Sequence, residues 1–522
     1  MKVLLVEPNY NIKGVGKKIY SGKHIDDETL LYPPLSLMKI ARFHNNRGDE
    51  VKFIRGCDDS LFSEVDFFRS SIMWDRVYIS TLFTYYFSET IKTINFYKKA
   101  VGGTISKIFV GGIMASLMPK DIFEETGVYP KIGLLTSSKM IGFNEDVNID
   151  MVTPYYDILD KNIYSVNDTY YSHTTRGCIK KCKWCGVTNI EPNYIPYIDI
   201  KPTILELRKL YGDKPKLKLM DNNVLASPKL DKIVDDLLTL GYGKDQYTDT
   251  NPPRKRVVDF NQGVDAAYIK KNNIKIISKI NIKPLRIAFD RISESEIYIN
   301  AVELALKNGF NEISNYMLYN FKDNPFDLYQ RLIINIDLNK LYSNHKNNNN
   351  FVKIYSYPMR YAPINEEFGE KTNRKRDYFK NADSEKIDWL INPVWTKRFA
   401  RNIEIMKGAA RGSISPTSSL ALRTIGKNRK EFLSNLYMPE IMLRNRKRYE
   451  KKVYSFEPKK TSGTGKIEGF REFIYDLLKK QNEDFHYFHN AIANCSIKET
   501  MHYLNSCKNK EIMKWLKFYL IK

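Results

Sequence analysis

The chain has 522 residues, with 83 Lys and Arg against 60 Asp and Glu, and therefore a formal net charge of +23. That length predicts two or three domains, and an apolar fraction of 43% excludes global disorder. No apolar run approaches the roughly 18–20 residues of a membrane span. The apolar run near the start, Val3 to Val6, is shorter than the about 7–15 residues of a signal peptide. We therefore expect a cytoplasmic protein without a membrane partner.

The first 130 residues alternate strand and helix patterns. Apolar runs of strand length occur at 2–6, 51–54, 76–80 and 107–112, and helical patterns fall between them at 37–44 and 88–100. This alternation predicts an α/β fold that begins with a doubly wound, Rossmann-like domain over residues 1–135. Its ligand crevice should lie at the carboxyl ends of the strands, where Asn9, Thr81 to Tyr86 and Gly111–Gly112 stand.

A second alternation covers residues 165–360. It predicts strands at 172–176, 215–220, 256–262, 284–290, 313–319 and 352–357. Helices should begin at Pro202, at Pro228 with Ser227 as N-cap, and at Ser293, which forms a capping-box pattern with Glu296. Six strands with intervening helices predict a partial (βα)6 barrel of the TIM type, with functional groups at the carboxyl ends of its strands.

The rest of the chain is helical and basic. We expect a helical barrel extension over 361–460, with a polar loop before it at Asn344 to Asn350, and a linker with C-terminal helices over 461–522. From Trp395 onward there are 27 Lys and Arg against 12 Asp and Glu. The densest basic run, 444–452, has Tyr449 and Tyr454 nearby and has three interpretations: a nucleic-acid anchor, a docking surface for a partner protein, or a solvated face.

The cysteines are unevenly placed. Three of the six fall in HTTRGCIKKCKWCG (173–186), as Cys178-x3-Cys182-x2-Cys185. Three thiolates on a short loop can hold three irons of a four-iron cluster and leave the fourth iron open. A zinc site would want a fourth protein ligand, for which His173 is the nearby candidate.

This motif, with the aromatic Trp184 before its last cysteine, resembles the signature of the radical S-adenosylmethionine (radical SAM) superfamily. In that superfamily the motif follows the first strand of a partial barrel, as it follows the predicted strand 172–176 here. The resemblance implies a [4Fe-4S] cluster on Cys178, Cys182 and Cys185, with SAM bound to the open iron. It also implies an external flavodoxin- or ferredoxin-like electron donor and reductive cleavage of SAM to a 5′-deoxyadenosyl radical.

Further cofactor-binding residues are implied by the same resemblance. Asp221 or Asn223, at the end of the second barrel strand, would meet the amino group of SAM, although the Gly-Gly-Glu of many relatives is absent. Gln262 at the end of the third strand and Asp290 at the end of the fourth would face SAM or the substrate.

A Rossmann-like domain before the barrel resembles the cobalamin-binding-domain branch of the superfamily. The Asp-x-His-x-x-Gly motif of a cobalamin ligand is absent, and the histidines of the domain, His24 and His44, stand in other contexts. We therefore favour a degenerate domain over one that binds cobalamin.

The sequence thus predicts a radical SAM enzyme whose substrate it does not identify. The alternatives are a nucleic-acid-binding protein with a structural or redox-sensing cluster, and a radical SAM enzyme that modifies RNA or DNA. A third is an enzyme acting on a small molecule or peptide, with the basic region docking a partner protein.

Overall fold

The computed structural model describes residues 1–10, 30–62, 74–343, 352–363, 379, 384–408, 410, 412–451 and 463–521. The described residues form two compact units, the first built from Met1–Val264 and Lys271–Lys283, the second from Asp265–Lys270, Pro284–Ala362 and Tyr378–Lys522. Several sequence predictions lie outside the described residues: the Asn344 to Asn350 loop, His24, Lys452 and Tyr454.

The first unit begins with a parallel sheet of order β2-β1-β3-β4. Its strands and helices are β1 (Lys2–Glu7), α1 (Leu35–Asn46), β2 (Glu50–Arg55), β3 (Arg76–Thr81), α2 (Phe87–Tyr97), β4 (Ile108–Gly112), α3 (Ile113–Leu117) and α4 (Pro119–Thr126). Alternate residues of β1 enter two cores, because successive side chains of a strand point to opposite faces. Leu4 and Val6 pack in the core that contains α2, whereas Val3 and Leu5 pack in the core that contains α1. This arrangement confirms the predicted doubly wound sheet.

A second parallel sheet of the first unit has the order β5-β6-β7. Its elements are β5 (Thr169–Ser172), α5 (Val187–Ile190), α6 (Lys201–Tyr211), β6 (Lys216–Leu219), α7 (Leu230–Thr239), β7 (Val257–Phe260) and α8 (Lys271–Ile277). The α8 helix returns to this unit after the chain has crossed the segment 265–270 of the other unit. The alternation of strand and helix is as predicted.

Two boundaries in this region were predicted wrongly. The first strand ends at Ser172, not at Arg176, because the backbone N–H groups of Thr174 and Thr175 donate to a side chain, Asp221, instead of to a neighbouring strand. The α7 helix begins at Leu230, not at Pro228. Here the Ser227 hydroxyl donates to the Pro196 carbonyl oxygen (2.5 Å) and accepts from the Lys229 N–H (3.0 Å), so it closes a turn before the helix.

The second unit holds a sheet of order β11-β10-β9-β8, in which β9, β10 and β11 are parallel. Its elements are β8 (Val264–Asp265), β9 (Leu285–Ala288), α9 (Ser295–Lys307), β10 (Glu312–Tyr319), α10 (Pro325–Ser343), β11 (Lys353–Arg360), α11 (Lys397–Gly408), α12 (Ser418–Ile425), α13 (Arg429–Tyr437), α14 (Glu440–Arg444), α15 (Arg446–Tyr449), α16 (Lys466–Lys480), α17 (Glu483–Ala493), α18 (Ile497–Ser506) and α19 (Lys510–Leu516). The predicted capping box is wrong, because Ser293 lies inside a 3-10 turn and α9 begins after it, without a side-chain cap.

The helical character predicted beyond residue 395 is confirmed by α11 to α19. Within the described ranges, no helix is both long and apolar enough to cross a membrane.

Candidate active site

The three clustered cysteines lie on one loop between β5 and α5, at the carboxyl end of β5. All three are partly exposed, and none is in a disulfide. The Cys185 N–H donates to the Cys182 carbonyl oxygen (3.0 Å), and the Lys180 N–H donates to Cys178 Sγ (3.4 Å). Trp184, on the same loop, is also partly exposed. In the part of the chain that the structure describes, no three Cys, His, Asp or Glu side chains converge on a point where they would hold a metal ion.

Asp221, directly beyond β6, fixes the start of this loop. Its Oδ1 atom accepts the N–H and hydroxyl of Thr174 (2.9 and 2.8 Å) and those of Thr175 (2.5 and 2.7 Å). Burial raises the pKa of Asp221, and the hydrogen bonds from Thr175 and Thr174 act in the opposite direction. The carboxylate predicted to meet SAM is therefore engaged in holding the loop.

Glu191, directly beyond α5, joins the two ends of the loop. Its Oε1 accepts from Arg176 Nη1 (2.9 Å), and its Oε2 accepts from the Gly177 N–H (2.5 Å) and Asn222 Nδ2 (3.0 Å). The backbone of Arg176 also pairs with that of Ile195, with N–H to oxygen distances of 3.0 and 2.9 Å. Because Arg176 and Gly177 precede the cysteines and Glu191 follows them, these contacts close the loop at its base.

Gly177 is required by this closure. Its φ is +69°, and a Cβ there would lie 2.5 Å from the Asn193 carbonyl oxygen and 3.0 Å from that of Glu191. The left-handed backbone would be strained by a side chain at this position. The Cβ atom would also collide with the backbone of Glu191 and Asn193, which follow the cysteines.

A buried charge network extends from the loop base to the N-terminal sheet. Arg176 Nε donates to Asp150 Oδ2 (3.0 Å), and Lys39 Nζ lies 3.0 Å from Asp150 Oδ1. Burial acts to raise the pKa of Asp150, but the charges of Lys39 and Arg176 outweigh it and hold that pKa below its usual value. Burial and the same two cations hold the pKa of His173 well below its usual value, so this imidazole is neutral at pH 7.

A cavity of about 520 Å³ opens within the first unit beside the loop. The carboxyl ends of β3 and β4 contribute Thr81 and Gly111–Gly112, as the sequence predicted for the crevice. Another part of the wall includes Gly186, Val187, Ile190, Glu191, Asn222 and Gln262. The structure thus brings Gln262 to the same cavity as the residues that follow Cys185.

Two further predicted site residues, Asn223 and Asp290, are not among the residues that line this cavity. Asn223 is buried two residues beyond Asp221. Asp290 belongs to the second unit, where its Oδ1 accepts the Leu318 N–H (3.0 Å) and burial raises its pKa. Its carbonyl oxygen accepts from Arg331 Nη1 (3.1 Å).

His44 belongs to the core of the N-terminal sheet. Its Nδ1 lies 2.7 Å from Asp49 Oδ2, and its Nε2 lies 3.0 Å from the Tyr78 hydroxyl. Both ring nitrogens are therefore used inside the fold.

Sequence reasoning missed Lys39, Asp150 and Glu191. Lys39 lies on a helix with an ordinary amphipathic pattern, and Asp150 lies in a short 3-10 turn, Ile149–Met151. One signal was available: Arg176, placed between a predicted buried strand and the cysteines, needed a carboxylate partner.

Comparison with known proteins gives distant structural likenesses. No protein-family model matches the chain, and no curated protein matches it. The cobalamin-dependent S-adenosylmethionine radical enzyme OxsB with aqua-cobalamin and S-adenosylmethionine bound is 14% identical, with a TM-score of 0.42, covering 99% of this chain and 70% of that chain. The apo form of OxsB is 15% identical, with a TM-score of 0.41, covering 64% of this chain. HydG, a maturase of the [FeFe]-hydrogenase, is 12% identical, with a TM-score of 0.29, covering 67% of this chain and 81% of that chain.

The chain spans about half, 51%, of the apo OxsB chain that it matches. OxsB itself is a cobalamin-dependent radical SAM enzyme.

Proposed function

We propose that this chain binds a [4Fe-4S] cluster through Cys178, Cys182 and Cys185 and is a radical SAM enzyme acting on a substrate still to be identified. The observation that carries the proposal is the cysteine loop itself. It places three thiols within eight residues at the carboxyl end of a parallel strand, and Glu191 ties its two ends together.

The donor set fits such a cluster. Thiolates are the ligands that iron–sulfur clusters take, and three of them leave one iron for another ligand. The thiols are partly exposed and in no disulfide, and each turns about a single side-chain torsion. Convergence on a cluster thus needs the three side chains to rotate, while the base of the loop stays fixed. When bound, the cluster supplies the electron for reductive cleavage of SAM.

The residues around the cysteine loop hold its backbone and line the cavity beside it. Asp221 and Glu191 accept hydrogen bonds from the residues just before Cys178 and so fix the backbone from which the thiol side chains project. The amide groups of Asn222 and Gln262 on the cavity wall are polar partners for the amino, carboxylate or ribose groups of SAM. Apolar side chains near the ends of β3 and β4 also line the cavity. The electron would come from an external flavodoxin- or ferredoxin-like protein.

The reaction is tested with the full chain, reconstituted anaerobically with iron and sulfide. We expect dithionite and SAM to yield 5′-deoxyadenosine, and Cys178→Ala, Cys182→Ala and Cys185→Ala each to abolish it. Cys57→Ala and Cys495→Ala are matched controls and should retain the activity, because both cysteines lie outside the loop. Product formation by all three loop variants would overturn the proposal.

We also propose that the N-terminal domain is degenerate, and we favour the absence of cobalamin over its binding. Both His44 nitrogens are used inside the core, so a bound cobalamin would take no ligand from this histidine. The test is gel filtration of the full chain with hydroxocobalamin under reducing and oxidising conditions. Co-elution of the corrinoid absorbance with the protein would contradict the proposal, and its absence would support it.

A further inference from the structure

The second unit contains a cavity of about 490 Å³ with a cationic wall. It lies among α11, α12, α14 and α15, and basic side chains make up five of its eleven lining residues, while none of the eleven is acidic. The five are Arg423, Arg444, Arg446, Lys447 and Arg448. A concave surface lined by one sign of charge concentrates ions of the opposite sign.

Arg446 holds the wall together. Its guanidinium donates to the Arg423 carbonyl oxygen and, through Nη2 (2.9 Å), to the Thr424 carbonyl oxygen near the C-terminus of α12. Buried Glu450 lies 3.8 Å from Arg446 Nη1 and 3.5 Å from Arg423 Nη2. These contacts fix α15 against α12 and set the shape of the cavity.

Two carboxylates, Glu440 and Glu450, contact residues of the wall. Glu440 accepts from Arg401 Nε (3.1 Å) and Nη2 (3.0 Å) and lies 3.5 Å from Arg444 Nη2. Neither carboxylate is among the residues that line the cavity, so the lining itself carries one sign of charge.

The cavity also has an apolar side. Ile405, Met406, Leu420 and Leu443 line it. A small inorganic anion would leave the apolar side in contact with water. A ligand with a phosphate at one end and a planar, weakly polar ring at the other would contact both the cationic wall and the apolar side. Arginine forks match phosphate oxygens in pairs, and the volume falls in the roughly 300–1,000 Å³ range of small-ligand pockets.

We infer that this cavity binds a nucleotide unit, with its phosphate on the Arg444 to Arg448 wall and its base against the apolar side. A free nucleotide and a single-stranded nucleic acid both supply such a unit, and the two are distinguished by the test below. The inference uses only residues of the second unit and does not depend on the cluster or on SAM cleavage.

The test measures binding by the full chain of a fluorescent ten-nucleotide single-stranded RNA and, separately, of ATP, from 50 to 200 mM salt. The variant is the triple Arg444→Gln/Lys447→Gln/Arg448→Gln, whose three side chains are exposed. Arg446 is kept because it supports the fold. The matched control is Lys498→Gln/Lys508→Gln/Lys510→Gln, which removes the same charge from exposed positions on or next to α18 and α19.

We expect the wall variant to bind at least about ten-fold more weakly at 50 mM salt. For RNA, we also expect the slope of log K against log salt to fall by about 2, since each phosphate contact on a single strand contributes roughly 0.7. The control should stay within about two-fold of the wild type, because none of its three lysines lines the cavity.

Loss of ATP binding in the wall variant would identify a free nucleotide as the ligand, and loss of RNA binding alone would identify nucleic acid. Equal weakening of binding by the two triple variants would overturn the inference, because charge alone would then account for it. Absence of saturable binding of either probe up to about 100 μM protein at 50 mM salt would also overturn it.

Discussion

At the base of the cysteine loop, single carboxylates accept the backbone hydrogen bonds that a neighbouring strand would otherwise accept. Asp221 accepts four hydrogen bonds from Thr174 and Thr175, and Glu191 accepts the Gly177 N–H. A buried donor without an acceptor costs about 1–3 kcal/mol. The backbone just before Cys178 is therefore as firmly held as that of a strand, although it is irregular.

Asp221→Ala should lower the free energy of unfolding by about 3 kcal/mol or more, because it leaves these donors buried without an acceptor. Urea unfolding followed by circular dichroism measures the change. The control is Asp245→Ala, whose exposed carboxylate makes only a surface ion pair with Lys255 and should contribute less than about 1 kcal/mol. An equal effect of the two substitutions would contradict the role assigned to Asp221.

His489 in the second unit predicts a pH dependence of stability. Its Nδ1 lies 3.0 Å from the Tyr437 hydroxyl, and its ring centroid lies 3.9 Å from that of Trp389. Burial lowers the pKa of His489 from its usual 6.5 to about 3. Between those values the unfolded chain binds the proton and the folded chain does not, so stability falls as the pH falls through this window.

The His489 contribution should amount to a loss of about 2 kcal/mol between pH 6.5 and 4.5. In His489→Phe this loss should disappear, so that the variant is less sensitive to pH than the wild type, as measured by urea unfolding at the two pH values. The exposed His502→Gln should keep the wild-type dependence. A wild-type pH dependence in His489→Phe would show that the titrating group lies elsewhere.

Among the strands and helices, those with a regular spacing of apolar residues on their buried face were predictable from the sequence. β1, β3 and β10 follow their apolar runs, because hydrophobic periodicity determines which face is buried. The end of β5 and the start of α9 were not predictable in this way. Their boundaries depend on hydrogen bonds to residues distant in sequence, such as Asp221, or on a 3-10 turn that a local capping pattern does not reveal.

A side chain at Gly177 should destabilise the cysteine loop. Gly177→Ala combines a positive φ with a Cβ 2.5 Å from the Asn193 carbonyl oxygen. Gly48→Ala is the matched control, because Gly48 has φ +74° but nothing within 4 Å of its Cβ position. The control should lose about 1–2 kcal/mol from the backbone conformation alone. Gly177→Ala should lose clearly more stability and also bind less iron on reconstitution, and equal losses would contradict the close approach.

For the whole molecule, three features of the sequence were informative to different degrees. The spacing of three cysteines identified the candidate site, because metal ligands on one short loop are visible without knowledge of the fold. The net charge of +23 gave no location, and only the folded chain gathers Arg423 with Arg444 to Arg448 around one cavity. The network of Lys39, Asp150 and Arg176 was equally hidden, since its members are distant in sequence.

The central claim is that the cysteine loop binds a four-iron cluster, and counting iron and sulfide per chain after anaerobic reconstitution tests it most directly. The account predicts about four of each in the wild type, and fewer than about one in the triple variant Cys178→Ala/Cys182→Ala/Cys185→Ala. The matched triple variant Cys57→Ala/Cys495→Ala/Cys507→Ala should keep the wild-type content. Four irons and four sulfides retained by the loop variant would contradict the account.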